Sequence, residues 1–341
     1  MTLTVVDLDS SHEWEYRAFC EGTPDLLIYY TWQFRSFLID LLGCRSVYKV
    51  AVDQVGHIQG VLPLMEVEGR FGRVLNSLPF FGSNGGVVAR SEAARTLLWR
   101  SYAEMLEKPD IASSTVIGNP LLGDPVCVPQ DVTDKRIGQV TKLDLVGDPE
   151  TMLMKKLDPT ARRNIRRAQN AGVTVAVDNE ALATLAAIHN ENMTAVGGRV
   201  KPRAFFELLP KHFRPGTDWN LYVARHEQGV VACLLLLYSG NTVDYYIPGT
   251  RFEDRNIQPS ALLIFRAMLD AHGRGCTVWN WGGTWLSQEG VLRFKRKWGA
   301  VDHPYTYYVK IQNPGLLQLD RKTLLDAYGY FYTVPFDRLK I

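Results

Sequence analysis

Cysteine is scarce and unpaired in this 341-residue sequence. Its five cysteines, Cys20, Cys44, Cys127, Cys233 and Cys276, are an odd number with no Cys-x-x-Cys pair and no histidine at matching spacing. That pattern argues against a disulfide frame or a thiolate zinc site, and for small core residues in a reduced cytoplasm. Long apolar runs are missing too. The longest, such as Val230 to Tyr238, fall far short of the roughly 20 residues that cross a bilayer, so no integral membrane segment is expected. The opening MTLTVVDLDSSHEWEYR has no basic start, apolar run or small-residue cleavage site, which again suits the cytoplasm. A net charge of +2 points to no strong polyelectrolyte partner, although a local basic patch can still meet phosphate. There is no Walker loop, dinucleotide fingerprint or Gly-x-Ser-x-Gly elbow, and no short-period repeat. His189, His212, His272 and His303 are scattered and read as structural, so neither a metal nor a tightly bound cofactor is expected.

What remains is an ordinary globular composition, 46% hydrophobic and 22% charged, in a chain long enough for two domains. The first half reads as an apolar-faced helix at Tyr29 to Leu42, strands at Val47 to Val52, Gln59 to Val67 and Arg73 to Leu78, then a helix at Ser91 to Lys108. Pro79 to Gly86 is rich in turn residues, and Pro109 to Pro149 is dense in Pro, Gly and Asp. The boundary is expected near Val146, giving domains over 1–146 and 147–314, with 315–341 returning to the first.

The second half repeats this plan. Asp158-Pro159 starts a helix, with Asp as N-cap and Pro as first helical residue, and Gly172 closes it before the strand Val173 to Val177. Helices at Glu180 to Val196 and Pro202 to Phe213 follow. Strands at Trp219 to Arg225, Val230 to Tyr238 and Thr242 to Ile247 come next, with a hairpin turn at 227–229, and then a helix at Pro259 to His272. The class is α+β, each half a mostly antiparallel mixed sheet flanked by helices.

The stretch Gly275 to Gly299 carries the chemistry. Cys276 to Trp281 reads as a buried strand stopped by Gly282-Gly283, and a helix follows with Val291, Leu292, Phe294 and Trp298 at helical spacing among Arg293, Lys295, Arg296 and Lys297. The cations suit a solvated face at a helix C-terminus. Alternatively, Lys295 points back over the glycines to meet a developing oxyanion. Asp244, in an apolar strand, shares a face with Tyr246 and is either a proton acceptor or a partner for a nearby arginine. Arg163, Arg166 and Arg167 share a helix face near Arg162, Lys155 and Lys156, which serves either solvent or phosphates.

Three segments resemble the FemABX family, the peptidoglycan-bridge peptidyltransferases built from two halves of the acyltransferase fold known as GNAT. They are LDPTARRNIRRAQNAGVTV from Leu157, the strand and Pro-started helix from Tyr245 to Asp270 with IQPSALLIFRAMLD, and WNWGGT followed by GVLRFKRKWG. In the first half the resemblance lies in layout, with YYTWQFRSFL and GVLPL in the expected places. The resemblance implies two tandem GNAT-like domains, with donor and acceptor meeting in the second. It makes Phe294 and Lys295 the family's Phe-Lys pair, with Lys295 as the cation at the reacting carbonyl. Trp281, Gly282, Gly283 and Tyr246 then line the substrate, and a basic residue after the second-domain helix is Arg199 or Arg203. A family lysine early in the first domain falls near Arg35 or Ser36, a departure from the pattern. No coiled-coil arm is present.

The expected function is an acyltransferase that moves an aminoacyl group from aminoacyl-tRNA to an amine of a cell-wall precursor or a similar, nucleotide-linked acceptor, acting as a monomer. A second reading is an acyl-CoA-dependent N-acyltransferase acting on an amino sugar of a surface glycan. RFEDRNIQPSALL weakens it by offering Arg251 and Arg255 without the glycines of a pyrophosphate loop. A third is a non-catalytic module that binds glycan or RNA.

Overall fold

A computed structural model describes residues 2–80, 84–122, 128–227 and 229–339. Cys127, the Asp124-Pro125 pair, the centre of the Pro79 to Gly86 segment and Gln228 of the 227–229 turn lie outside the described residues. The chain runs β1 (Thr4–Asp7), α1 (Glu13–Glu21), α2 (Trp32–Leu42), β2 (Arg45–Ser46), β3 (Lys49–Val52), β4 (Ile58–Leu62), β5 (Met65–Gly69), β6 (Gly72–Asn76), β7 (Val88–Ala89), α3 (Glu92–Leu106), β8 (Ile111–Ile117) and β9 (Val132–Lys142). It continues with α4 (Pro149–Lys156), α5 (Pro159–Asn170), β10 (Thr174–Val177), α6 (Leu182–Ala195), α7 (Arg203–His212), β11 (Trp219–His226), β12 (Gly229–Ser239), β13 (Thr242–Thr250), α8 (Pro259–Gly273), β14 (Val278–Trp285), α9 (Glu289–Arg296), β15 (Val301–Ile311) and α10 (Arg321–Tyr328).

Two compact units result: Met1–Thr23, Tyr29–Ile137 and His303–Ile341 form one, Pro24–Ile28 and Gly138–Asp302 the other. In the first, β1-β3-β4-β7 make a small sheet and β15-β8-β6-β5-β2 a second series. The single strand expected over Gln59 to Val67 is two. Pro63, with no N–H to give a ladder, separates β4 from β5. The expected helix from Tyr29 starts later, at Trp32, where the Thr31 hydroxyl accepts from the Phe34 amide at 3.3 Å. After α10 the chain is stitched to β6: the Tyr332 amide donates to Asn76 Oδ1 at 2.6 Å, and Asn76 Nδ2 donates to the Tyr332 carbonyl at 2.8 Å.

The second unit is ordered β10-β11-β12-β13-β14, antiparallel through β13 and parallel between β13 and β14. Val231 to Tyr238 of β12 are all buried, the mark of a strand covered on both faces. Tyr222, Ala224, Leu234, Leu236 and Val243 join α8 and α5 in one core. The alternate residues Leu221, Val223, Leu235 and Leu237, also buried, face the other way. On the α6 side Gly249 is required, because a Cβ there would lie 2.7 Å from Ile188 Cγ2. Helix α5 starts as its sequence dictates, with Asp158 accepting from the Thr160 amide at 2.7 Å and Pro159 following. One expectation fails: Gly282-Gly283 does not end the strand. β14 runs on to Trp285, because Gly282 takes φ +70° and kinks the strand without stopping it.

Candidate active site

The parallel pair β13 and β14 holds register at Thr242–Val278, Val243–Trp279 and Asp244–Asn280, and beyond that point the two strands part while β13 stays paired with β12 as far as Thr250. A polar ladder begins where the pairing ends. Asn280 Nδ2 donates to Asp244 Oδ1 at 2.7 Å, and Asn280 Oδ1 accepts from the Gly282 amide at 3.0 Å. Lys295 Nζ then donates to the Thr284 hydroxyl at 2.7 Å and to the Gly282 carbonyl at 3.3 Å. Asp244, Asn280, Thr284 and Lys295 are all buried. Asp244 thus meets the Asn280 amide across the strand pair.

Lys295 is buried because of its phase on α9. Leu292, Lys295 and Trp298 recur every three residues and turn inward together, while Arg293 and Arg296 stay exposed. Loss of hydration lowers the Lys295 pKa to about 8. Both acceptors of its ammonium are uncharged, so its field is not cancelled by the groups it bonds. A cation in that setting is suited to charge that appears during a reaction.

Alongside the ladder aromatic rings build a wall. Trp281 lies 4.8 Å from Tyr245, 5.6 Å from Trp279 and 6.1 Å from both Phe294 and Trp298, centroid to centroid. Its indole donates to Thr141 Oγ1 at 2.9 Å, which fixes the ring. Beside this wall opens a cleft of about 370 Å³, bounded by Tyr245, Pro248 and Thr250 of β13, Phe294 of α9, and Arg255, Gln258 and Ser260 at the start of α8. Asn192 of α6 closes its far edge by pairing with the backbone of Thr250, donating at 2.9 Å and accepting at 3.1 Å.

The structure therefore brings Lys295, Asp244, Gly282 and the neighbouring Thr284 into one network, and puts Phe294 in the cleft wall with the buried Trp281 packed behind Phe294 and Tyr245. Gly283 is exposed on β14. Arg163, Arg166 and Arg167 stay exposed on α5, which packs against α8 and the turn Arg255–Ile257 beside the cleft. Arg199 is exposed, and Arg203 pairs with Glu207 at 2.6 Å on the surface of α7. Between them sits a residue the sequence reading missed. Lys201 is buried, its ammonium 4.6 Å from the Tyr246 ring centre and 5.2 Å from that of Phe205. Burial brings its pKa down to about 7. Its backbone amide donates to His189 Nε2 at 3.2 Å, and burial, with Lys201 nearby, lowers the His189 pKa to about 4, leaving a neutral structural acceptor. Burial, with the Asp244 charge nearby, pushes the Tyr246 phenol well up, and the β12–β13 register shifts at Tyr246, so simple alternation does not carry through it. In the first unit Arg35 bonds Ser46 at 2.8 Å and lies 4.5 Å over Trp32.

Residues 155–296 match the model of the acetyltransferase (GNAT) domain. That match lies wholly within the second unit, which is similar to GNAT domains. No curated protein matches the sequence. Among solved structures the chain is similar to FemX, with a TM-score of 0.68 at 16% identity over 92% of this chain and 98% of that one. It is also similar to the C-terminal domain of a protein assigned as a lysylphosphatidylglycerol synthetase in Agrobacterium fabrum (0.58, 13%, 96% and 100%). A tandem GNAT protein from the clavulanic acid biosynthesis pathway gives 0.53 at 12% identity over 92% and 99%. The fold is thus α+β, a tandem of two GNAT-like domains that is similar in fold to FemX, with mostly antiparallel sheets flanked by helices. The GNAT match spans the β13–β14 ladder, the cleft and Lys295. Among the described residues no helix is long and apolar enough to cross a membrane.

Proposed function

We propose that the chain forms an amide by moving an aminoacyl group from aminoacyl-tRNA to the amine of a cell-wall precursor or similar small acceptor, acting as a cytoplasmic monomer. The transfer site lies within the second unit, in its stretch Gly138–Asp302. The observation that carries this reading is the buried Lys295 ammonium, bonded only to neutral oxygens in its ladder beside the cleft. The donor carbonyl enters between β13 and α9 against Phe294, with Trp281 behind it. A neutral acceptor amine attacks the carbonyl carbon, the C–N bond forms, and charge gathers on the carbonyl oxygen, where Lys295 stabilises it. Collapse breaks the ester C–O bond. The amine's proton leaves with the departing hydroxyl or passes toward Asp244, whose orientation is set by Asn280.

A tRNA donor is favoured by the exposed Arg163, Arg166 and Arg167 on the helix beside the cleft, a longer cationic surface than one pyrophosphate needs. A second reading, acyl-CoA acting on an amino sugar, draws on the acetyltransferase match and on Arg255 at the start of α8, where an anion meets a helix N-terminus. Incubation with labelled aminoacyl-tRNA and, separately, labelled acyl-CoA over a panel of amines decides between them. Label transferred from aminoacyl-tRNA is expected; transfer from acyl-CoA alone reverses the order.

A further inference from the structure

The second unit exposes several of its large apolar side chains in one place. Trp285 ends β14, Leu286 follows it, and Val291 and Phe294 lie on α9; they are 45%, 53%, 41% and 40% exposed. Single exposed hydrophobics are ordinary, but four in ten residues form a patch on the order of a few hundred Å². The fold enforces this exposure. With Leu292, Lys295 and Trp298 turned inward, Val291 and Phe294, three residues apart, must share the outward face. Phe294 also packs edge-on against Trp281 and Trp298, so the exposed remainder of its ring and the Val291 side chain form the patch.

Charge around the patch is lopsided. Arg293, Arg296 and Lys297 cluster in and just after the last turn of α9, Arg296 pairs with Asp302, and Glu289 is the one acid of the first turn. An apolar tip carrying tryptophan with cations at its margin matches the border between lipid headgroups and acyl chains. There an indole is half solvated, and arginine and lysine reach phosphates while their stems lie on apolar surface. We propose that the tip formed by the end of β14 and by α9 docks on an anionic lipid surface, Trp285, Leu286 and Val291 entering the interface and Arg293 and Lys297 meeting lipid phosphates. Phe294 belongs both to this patch and to the cleft wall, so docking would hold the cleft mouth at the headgroup layer. The proposal does not depend on which acyl donor is used.

Flotation of the full-length protein with phosphatidylcholine vesicles containing about 30% phosphatidylglycerol, at about 0.1 M salt, tests it. The protein is expected to float with these vesicles, much less with phosphatidylcholine alone, and Trp285→Ser/Leu286→Ser should weaken the binding at least about tenfold. Should Trp285→Ser disturb the end of β14, as thermal melting would reveal, Leu286→Ser/Val291→Ser gives the same reading from exposed positions. Arg293→Gln should lower binding to anionic vesicles several-fold and leave the weak phosphatidylcholine binding unchanged. Flotation with neither vesicle overturns the proposal, as does equal flotation of wild type and both double variants. A wild-type dimer that the double variants abolish would likewise overturn it, by making a second copy the occupant.

Discussion

Helices α5 and α9 look alike as sequence, each crowded with basic residues, yet they use their charge in opposite ways. In α5 the buried positions are Ala161, Ile165 and Ala168, so Arg163, Arg166 and Arg167 fall on the solvent side and Arg162 at the margin. In α9 the inward positions are Leu292 and Lys295, with Trp298 just beyond, and one cation is carried into the interior. Charge count does not separate the two. What separates them is whether a basic residue coincides with the apolar phase of its helix.

Substitution should make the helices fail differently, and α9 should fail harder. Lys295→Met keeps most of the side chain's volume and removes its charge. Turnover is expected to fall by about two to three orders of magnitude with substrate binding little changed, because the lost interaction belongs to the transition state. The sign of the pH dependence follows from burial. Lys295 is held down to about 8, so the cation is lost, and kcat declines, as pH rises through that value. Lys295→Arg should shift that decline out of the measurable range, with partial activity, since a planar fork need not reach the same oxygen. Full turnover in a folded Lys295→Met protein would falsify the catalytic assignment.

For α5 the expected effect is smaller and lies in binding. Arg163→Gln/Arg166→Gln/Arg167→Gln should raise KM for the polyanionic substrate while kcat stays near wild type. Each lost phosphate contact should lower the log–log salt slope by somewhat under one unit. Affinity unchanged at both low and moderate salt would leave these arginines as a solvated face, and the contrast would rest on α9 alone.

The sequence was a better guide to elements than to the site. Local chemistry was enough for α5, whose Asp158-Pro159 start is read directly, and for α8, opened by Pro259. It was missed for α1, whose cap lies one turn earlier: Asp9 accepts from the Ser11 amide at 2.9 Å at the head of the short turn Ser10–His12, which runs directly into the helix. In the site, Phe294, Lys295 and Asp244 were legible as unusual residues, but Asn280 was not. Its role exists only through a parallel register that sets it opposite Asp244, 36 positions away in the chain. The available signal was a second polar residue in a second apolar strand. Gly282 was read as a stop because a glycine's positive φ kinks a strand as readily as it turns one.

Lys201 extends the comparison to a basic residue that no helical phase explains, and here the expected effect is smallest. It lies in the segment between α6 and α7 and is only 7% exposed, packed on Tyr246 and Phe205. The rings favour the charged form, but loss of hydration outweighs them and the pKa falls from 10.5 to about 7. Between those values the unfolded chain holds more protons than the folded one, so stability rises with pH across the window and this contribution is absent below about 7. Lys295, held down to about 8, adds a rise of the same sign over an overlapping range, so substitution and not pH separates the two. From pH 7 to 8 the gain from Lys201 should be roughly 1 kcal/mol, read from urea unfolding at several pH values. Lys201→Met, which keeps the apolar stem, should reduce that rise and raise stability at pH 7, and Lys295→Met should remove its own share of the rise. An unchanged rise from pH 7 to 8 in Lys201→Met would mean that Lys201 keeps an ordinary lysine's proton affinity in the folded protein and that its burial is offset by the groups around it.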